Sequence, residues 1–141
     1  MADAAFLDTM VLAYAVGGAH EQRDACRAIL ERAADGVLDL HVSAEAVQEL
    51  LFHRLRRTDR ETALVQSRHV LAMCVIHPLD RDVLHDMLDL VERTEIRGRD
   101  AIHAATALAA GFDRIVTTDA AFDSVPGLRR IAPADAIEFA G

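Results

Sequence analysis

The stretch Ala4-Ala5-Phe6-Leu7-Asp8-Thr9-Met10-Val11-Leu12 limits what this chain can fold into more than any other. A short apolar run ends on a carboxylate, a small hydroxyl residue follows, and apolar spacing then resumes. That order predicts a buried strand handing over to a helix, with Asp8 at the strand's C-terminal edge. In open α/β sheets this edge is where ligands bind. A lone Asp after a strand also serves as a helix cap or turn residue. Glu49, Asp100 and Asp119 occupy similar settings, and it is the set of four that points to a metal.

The 141 residues suffice for one domain, 1–141, with a continuous core. All 15 basic residues are arginine, and this excludes two chemistries. A Walker A phosphate loop needs its Lys, and a Schiff-base enzyme needs an amine. A receiver domain, which shares the layout of acids at strand ends, normally uses a lysine too. Gly17-Gly18 is an isolated pair, so the dinucleotide fingerprint is missing. A net charge of -8 argues against a broad nucleic-acid-binding surface. It leaves room for an enzyme acting on nucleic acid, because Mg²⁺ or Mn²⁺ neutralises clustered carboxylates while local arginines hold phosphates. No apolar run approaches the roughly 20 residues that span a bilayer, and no secretory signal is expected. Cys26 and Cys74 read as buried thiols of a reducing cytoplasm.

In chain order, the pattern predicts a short helix over Thr9 to Val16, stopped by Gly17-Gly18, and a second over His20 to Ala34. Leu38-Asp39-Leu40-His41-Val42 alternates as a strand. Ser43 then caps a helix running to about Arg57, with Ala46, Val47, Leu50 and Leu51 on its core stripe. Glu45, Glu49, Phe52 and Arg56 fall on another side. Arg54, Arg56, Arg57 and Arg60 form the densest basic cluster, readable as a solvated helix end or as a contact for phosphate or an acidic partner. Thr58-Asp59-Arg60-Glu61 fits a capping box, Met73-Cys74-Val75-Ile76 a strand, and Asp80 a further cap. Arg97 to Gly111 is an alanine-rich, buried helix with Asp100 in its first turn and His103 as a packed or supporting histidine. Arg114 to Asp119 is another strand ending on a carboxylate. Leu128 to Ile131 is a last short strand, and Pro133 opens a final helical turn.

These stretches together resemble a PIN domain, and specifically a VapC-type toxin of a bacterial toxin–antitoxin pair. The marks are Leu7-Asp8-Thr9, Ser43 followed six residues later by Glu49, Arg99-Asp100-Ala101 opening the alanine-rich helix, and Thr117-Thr118-Asp119 followed by Phe122. Val125-Pro126-Gly127-Leu128 and Ala132-Pro133 agree. The resemblance implies a parallel five-stranded sheet between helices, acids gathered at one edge, and Mg²⁺- or Mn²⁺-dependent RNA cleavage. It assigns the acidic, metal-holding site to Asp8, Glu49, Asp100 and Asp119, with Asp123 as a possible neighbour and Glu45 as a competitor of Glu49. It further implies a homodimer held silent by an antitoxin, whose basic segment reaches the acids and which Phe52 could contact.

The chemistry asks for such a cluster. Carboxylate oxygens suit hard cations, and four of them without a cation repel, so that at least one binds a proton more readily. Thr9 or Thr118 would orient a carboxylate or a water. Two rival readings are a catalytically silent PIN-like binding module and a haloacid-dehalogenase-type phosphatase. The second wants D-x-D, whereas Thr9-Met10 follows Asp8.

Overall fold

The computed structural model describes residues 2–136; the extreme ends of the expected 1–141 domain lie outside the described residues. The chain runs β1 (Asp3–Phe6), α1 (Thr9–Val16), α2 (Arg23–Ala34), β2 (Leu38–Ser43), α3 (Ala44–Arg57), α4 (Arg60–Met73) and β3 (Val75–His77). It continues through α5 (Arg81–Arg93), α6 (Gly98–Ala109), β4 (Arg114–Val116), a 3₁₀ turn at Ala120–Ser124, β5 (Arg129–Ile131) and α7 (Pro133–Ala136). Among these residues no helix is long and apolar enough to cross a membrane.

All strand pairings are parallel, as the α/β reading requires. The expected single five-stranded sheet is instead a three-stranded sheet, β1-β2-β3, beside a two-stranded one, β4-β5. One bridge, Leu7 to Val116, joins them, and there the Asp8 amide donates to the Val116 carbonyl at 3.0 Å. Away from that bridge β1 and β4 are parted by a cavity of about 100 Å³ whose walls include Phe6 and Phe112. The Phe6 and Phe112 rings pack there with centroids 5.4 Å apart. The two sheets therefore meet where β1 delivers Asp8.

Side chains alternate across a strand, so Phe6 and Leu7 enter different cores. Leu7 packs in a cluster with Leu12, Ile29, Leu40 and Leu50. Phe6 belongs to a second cluster with Ile96, Ala104, Ile115 and Phe122. Burial on both faces is why the run before Asp8 is continuously apolar. In α6, Ala101, Ala104, Ala105 and Ala107 are all buried. Small side chains let that helix lie close to its neighbours, which brings its first turn to the sheet edge.

Several boundaries shift for local reasons. The α2 helix starts at Arg23 because His20 closes a preceding turn, its Nδ1 accepting from the Gln22 amide at 3.1 Å. The cap of α4 is Asp59 rather than Thr58: Asp59 accepts from the Thr62 amide at 2.8 Å, while the Thr58 hydroxyl donates back to the Arg54 carbonyl at 2.7 Å. The α4 helix persists to Met73, so β3 begins at Val75. Ser43 and Asp80 cap α3 and α5 as expected, accepting from Ala46 and Val83 amides.

Candidate active site

Asp8 leaves β1 and caps α1, and its carboxylate is held at both oxygens. Oδ1 accepts from the Thr9 amide at 2.8 Å and Oδ2 from the Thr117 hydroxyl at 2.8 Å. Only 5% of the residue is exposed. Burial raises its pKa, outweighing the lowering by the His103 charge and by those two hydrogen bonds. The Thr117 hydroxyl also accepts from the Asp119 amide at 3.1 Å, so one threonine ties two acids together. Thr118 was the expected orienting residue after β4; it is exposed, and Thr117 has that place. The available signal was strand alternation, which puts Thr117 on the inward face with buried Ile115.

Asp100 reaches the same edge from the first turn of α6. Its pKa is pushed up to about 7, first by burial, then by the Asp8 charge and by a hydrogen bond to Asp119, against His103. Asp119 caps the 3₁₀ turn, accepting from the Ala121 amide at 2.9 Å. Asp100 is thus near enough to Asp8 and Asp119 for the charges of both to raise its pKa.

The fourth, Glu49, stands a step apart in a network of its own. Its Oε1 pairs with His103 Nε2 at 2.6 Å and accepts from the Thr9 hydroxyl at 3.1 Å. His103 is fully buried, and its other ring nitrogen pairs with the Ser43 hydroxyl at 2.7 Å. Burial works against charging His103, yet the Glu49 hydrogen bond and the charges of Asp8, Glu49 and Asp100 raise its pKa. Burial likewise works against the Glu49 carboxylate, yet His103, Thr9 and Arg99 together lower its pKa. His103 Nε2 lies 3.9 Å from Asp8 Oδ1, which links the two halves of the site. The expectation of a packed, supporting histidine describes this residue.

The competing acids lie elsewhere. Glu45 stands at the rim with Oε1 3.9 Å from Arg99. Asp123 pairs with Arg130 through two contacts of 3.0 Å and is exposed. Among the described residues no three Asp, Glu, His or Cys side chains form a ready-made metal cage. Glu49 is instead engaged with His103.

The basic cluster also divides. Arg54 is buried at 6% exposure and structural, donating to Gln66 Oε1 at 2.9 Å, while Gln66 donates to the Val16 carbonyl at 3.3 Å. Arg56 and Arg57 are solvent-facing and line a groove with Glu49, Phe52 and Arg99.

Residues 5–128 match the PIN domain. The chain is 34% identical over 130 residues to Ribonuclease VapC7 of Mycobacterium tuberculosis (strain ATCC 25618 / H37Rv), covering 90% of each. It is 30% identical over 129 residues to Ribonuclease VapC13 of the same strain, covering 89% of this chain and 98% of that one. Among solved structures, it resembles a chain in the crystal structure of VapBC2 from Rickettsia felis bound to a DNA fragment from their promoter. The TM-score is 0.72 at 19% identity, over 92% of this chain and 98% of that one. A chain of a toxin–antitoxin complex from Klebsiella pneumoniae is similar with a TM-score of 0.70 at 20% identity, over 92% and 97% of the two chains. The parallel strands, the acids gathered where β1 meets β4, and these likenesses agree: the chain belongs to the PIN-domain family, among the VapC ribonucleases.

Proposed function

We propose that this chain is a Mg²⁺- or Mn²⁺-dependent endoribonuclease toxin that cuts RNA in the cytoplasm, with Asp8, Glu49, Asp100 and Asp119 as its acidic site, silenced by a cognate antitoxin. The observation that carries this is buried Asp8, held at both oxygens where β1 meets β4, with Asp100 close enough to feel both its charge and that of Asp119. Like charges crowded at a sheet edge do nothing for fold stability. They suit a site whose charge is balanced by something that comes and goes.

The donor set fits a hard divalent cation. It is all oxygen, and Asp8, Asp100 and Asp119 crowd their charges where positive charge is wanted. What such an ion supplies when bound is a lowered water pKa and positive charge against the scissile phosphate. Asp8, Asp100 and Asp119 would hold it, with Glu49 on the adjoining side. The chain's own groups set the geometry. Thr9 and Thr117 fix Asp8 from both oxygens. His103, itself braced by Ser43, keeps Glu49 ionised and aimed. Arg99, 3.9 Å from Glu49 and half-exposed, is the nearest cation for an incoming phosphate.

Solved relatives of this fold are toxin–antitoxin complexes, some bound to DNA, and the same pairing is the basis for the antitoxin here. Incubating single-stranded RNA, and in parallel a generic phosphomonoester, with Mg²⁺, Mn²⁺ or EDTA tests the reading. RNA should be cut only with metal, and the monoester not at all. Cleavage that survives EDTA would remove the metal from the chemistry. No cleavage of any RNA would leave a binding module.

A further inference from the structure

We infer that the face of α3 beside the acids is the track for single-stranded RNA, with Phe52 stacking a base and Arg56 and Arg57 holding the backbone on its way to the carboxylates. This rests on the ribonuclease reading above and specifies how that site is fed.

The track starts inside the site. A groove of about 380 Å³ is bounded by Thr9 and Glu49 at one end and by Phe52, Arg56, Arg57 and Arg99 along its length. It continues into a second hollow of about 460 Å³ that shares Met10, His53 and Arg57 with the first. Each lies within the roughly 300–1,000 Å³ range of pockets that enclose small ligands. An RNA whose scissile phosphate sits at the acids has its neighbouring nucleotides here.

The chemistry along the groove is unlike that of the rest of the chain. The net charge is -8, yet three arginines border this one groove. Among the described residues neither Arg56 nor Arg57 has a carboxylate partner, and Arg99 comes no nearer than 3.9 Å to one. Like-charged neighbours left unpaired are a cost that a polyanion removes. Arg54, one turn before them in the same cluster, is buried and bonded to Gln66, so the division falls at the groove wall.

Phe52 adds the second requirement. It is 46% exposed on a helix whose core stripe faces the other way. The guanidinium groups of Arg56 and Arg99 lie 5.6 and 5.8 Å from its ring centre. Without RNA these cations stand over the ring, and when they turn to the phosphates its face is freed for an unstacked base, which a duplex does not offer. At the far end Tyr14 and His20 stack with centroids 4.2 Å apart and planes within 13°, a second flat surface in the adjoining hollow. A basic groove carrying aromatic platforms is how single strands are held without regard to sequence.

The test uses the full chain with Asp8→Asn, to prevent cleavage, and a short fluorescein-labelled single-stranded RNA read by anisotropy. Adding Arg56→Gln/Arg57→Gln should weaken binding about tenfold at low salt and cut the slope of log K against log salt by about 1.4, two phosphate contacts' worth. Adding Phe52→Ala should weaken it roughly 5- to 100-fold, with Phe52→Tyr near the parent, because one stacked base is lost and then restored. Arg93→Gln, on the surface of α5, is the control. Circular dichroism checks that each variant folds, and all three altered residues are exposed. RNA affinity unchanged in both groove variants overturns the inference. So does a loss confined to antitoxin binding, which would assign the groove to the partner. If wild type cuts no RNA with metal while the groove variants still lose RNA affinity, the cleavage reading falls and the track stands.

Discussion

The two halves of the acidic site handle the same problem in opposite ways. Around Glu49 the protein supplies its own compensation: a buried histidine, one hydroxyl and an arginine lower the carboxylate's pKa. Around Asp8, Asp100 and Asp119 the acids crowd one another instead, and burial with the Asp8 and Asp119 charges pushes Asp100 up to about 7. One half is finished by the fold. The other leaves its acids crowded, and on the proposed function it is the half that a cation would complete.

The sharpest way to break this comparison is Asp8→Asn, which removes charge from the crowded half and keeps its shape. RNA cleavage should fall by more than about 100-fold, since partners one shell further out already cost ~10–100-fold. The fold should survive, because Asn keeps an oxygen for the Thr9 amide and sets an NH2 where it can donate to the Thr117 hydroxyl. A variant that cuts at the wild-type rate would take Asp8 out of the site.

Next in size is the contrast between Glu49→Gln and Glu45→Gln. Only Glu49 engages His103 and Thr9, whereas Glu45 faces Arg99 at the rim. We expect a loss of about 10- to 100-fold for the first and a few-fold at most for the second. Equal losses would show that the rim belongs to the site. Losing the Glu49 charge also leaves buried His103 with a weaker partner, so thermal stability should drop as well.

The halves should also separate by pH in the metal-free protein. Asp100 has a raised pKa, so its contribution to stability is whole below its ordinary value of 3.8 and is lost as pH rises to about 7. Glu49 has a lowered pKa, so its contribution is present above its ordinary value of 4.5 and is lost as pH falls below it. Asp100→Asn should therefore flatten the decline in melting temperature between those pH values in EDTA, and gain roughly 2–6 °C at pH 7. Mg²⁺ should stabilise wild type with rising concentration and the variant much less. If Asp100→Asn lowers stability throughout, its place in the first turn of α6 is structural.

What was legible in the chain follows from how local each cause is. The place of Asp8 was readable because an apolar run ending on a carboxylate is a strand-end signal, whereas the strand expected to reach Asp119 stops at Val116 and Asp119 caps the 3₁₀ turn beyond it. Glu49 was readable because Ser43 caps α3 and sets its register. Asp100 came with the alanine-rich helix it opens. The split between the sheets was not readable, because how far β1 and β4 pair is set between residues more than 100 positions apart. Nor was the burial of Arg54, which needs Gln66 of another helix. Thr117 lay between the two cases: its face was implied by alternation, but its bond to Asp8 joins residues 109 positions apart.

The smallest expected effect concerns the boundary of the crowded half. Asp123 follows Asp119 by four residues, and a fifth acid so near would be expected to add to the repulsion. Its two oxygens are instead taken by Arg130, in a surface pair that closes the 3₁₀ turn against β5. The Arg130 hydrogen bond is the main reason its pKa is lowered, opposite in direction to Asp100. An acid already paired by the protein is not one that waits for a cation. Asp123→Asn should therefore change cleavage by less than about twofold, as expected for a solvent-screened pair. Arg130→Gln, which frees the Asp123 carboxylate, is the companion measurement. If Asp123→Asn reduces cleavage about as much as Glu49→Gln, the acidic site extends past Asp119 and the 3₁₀ turn belongs to it.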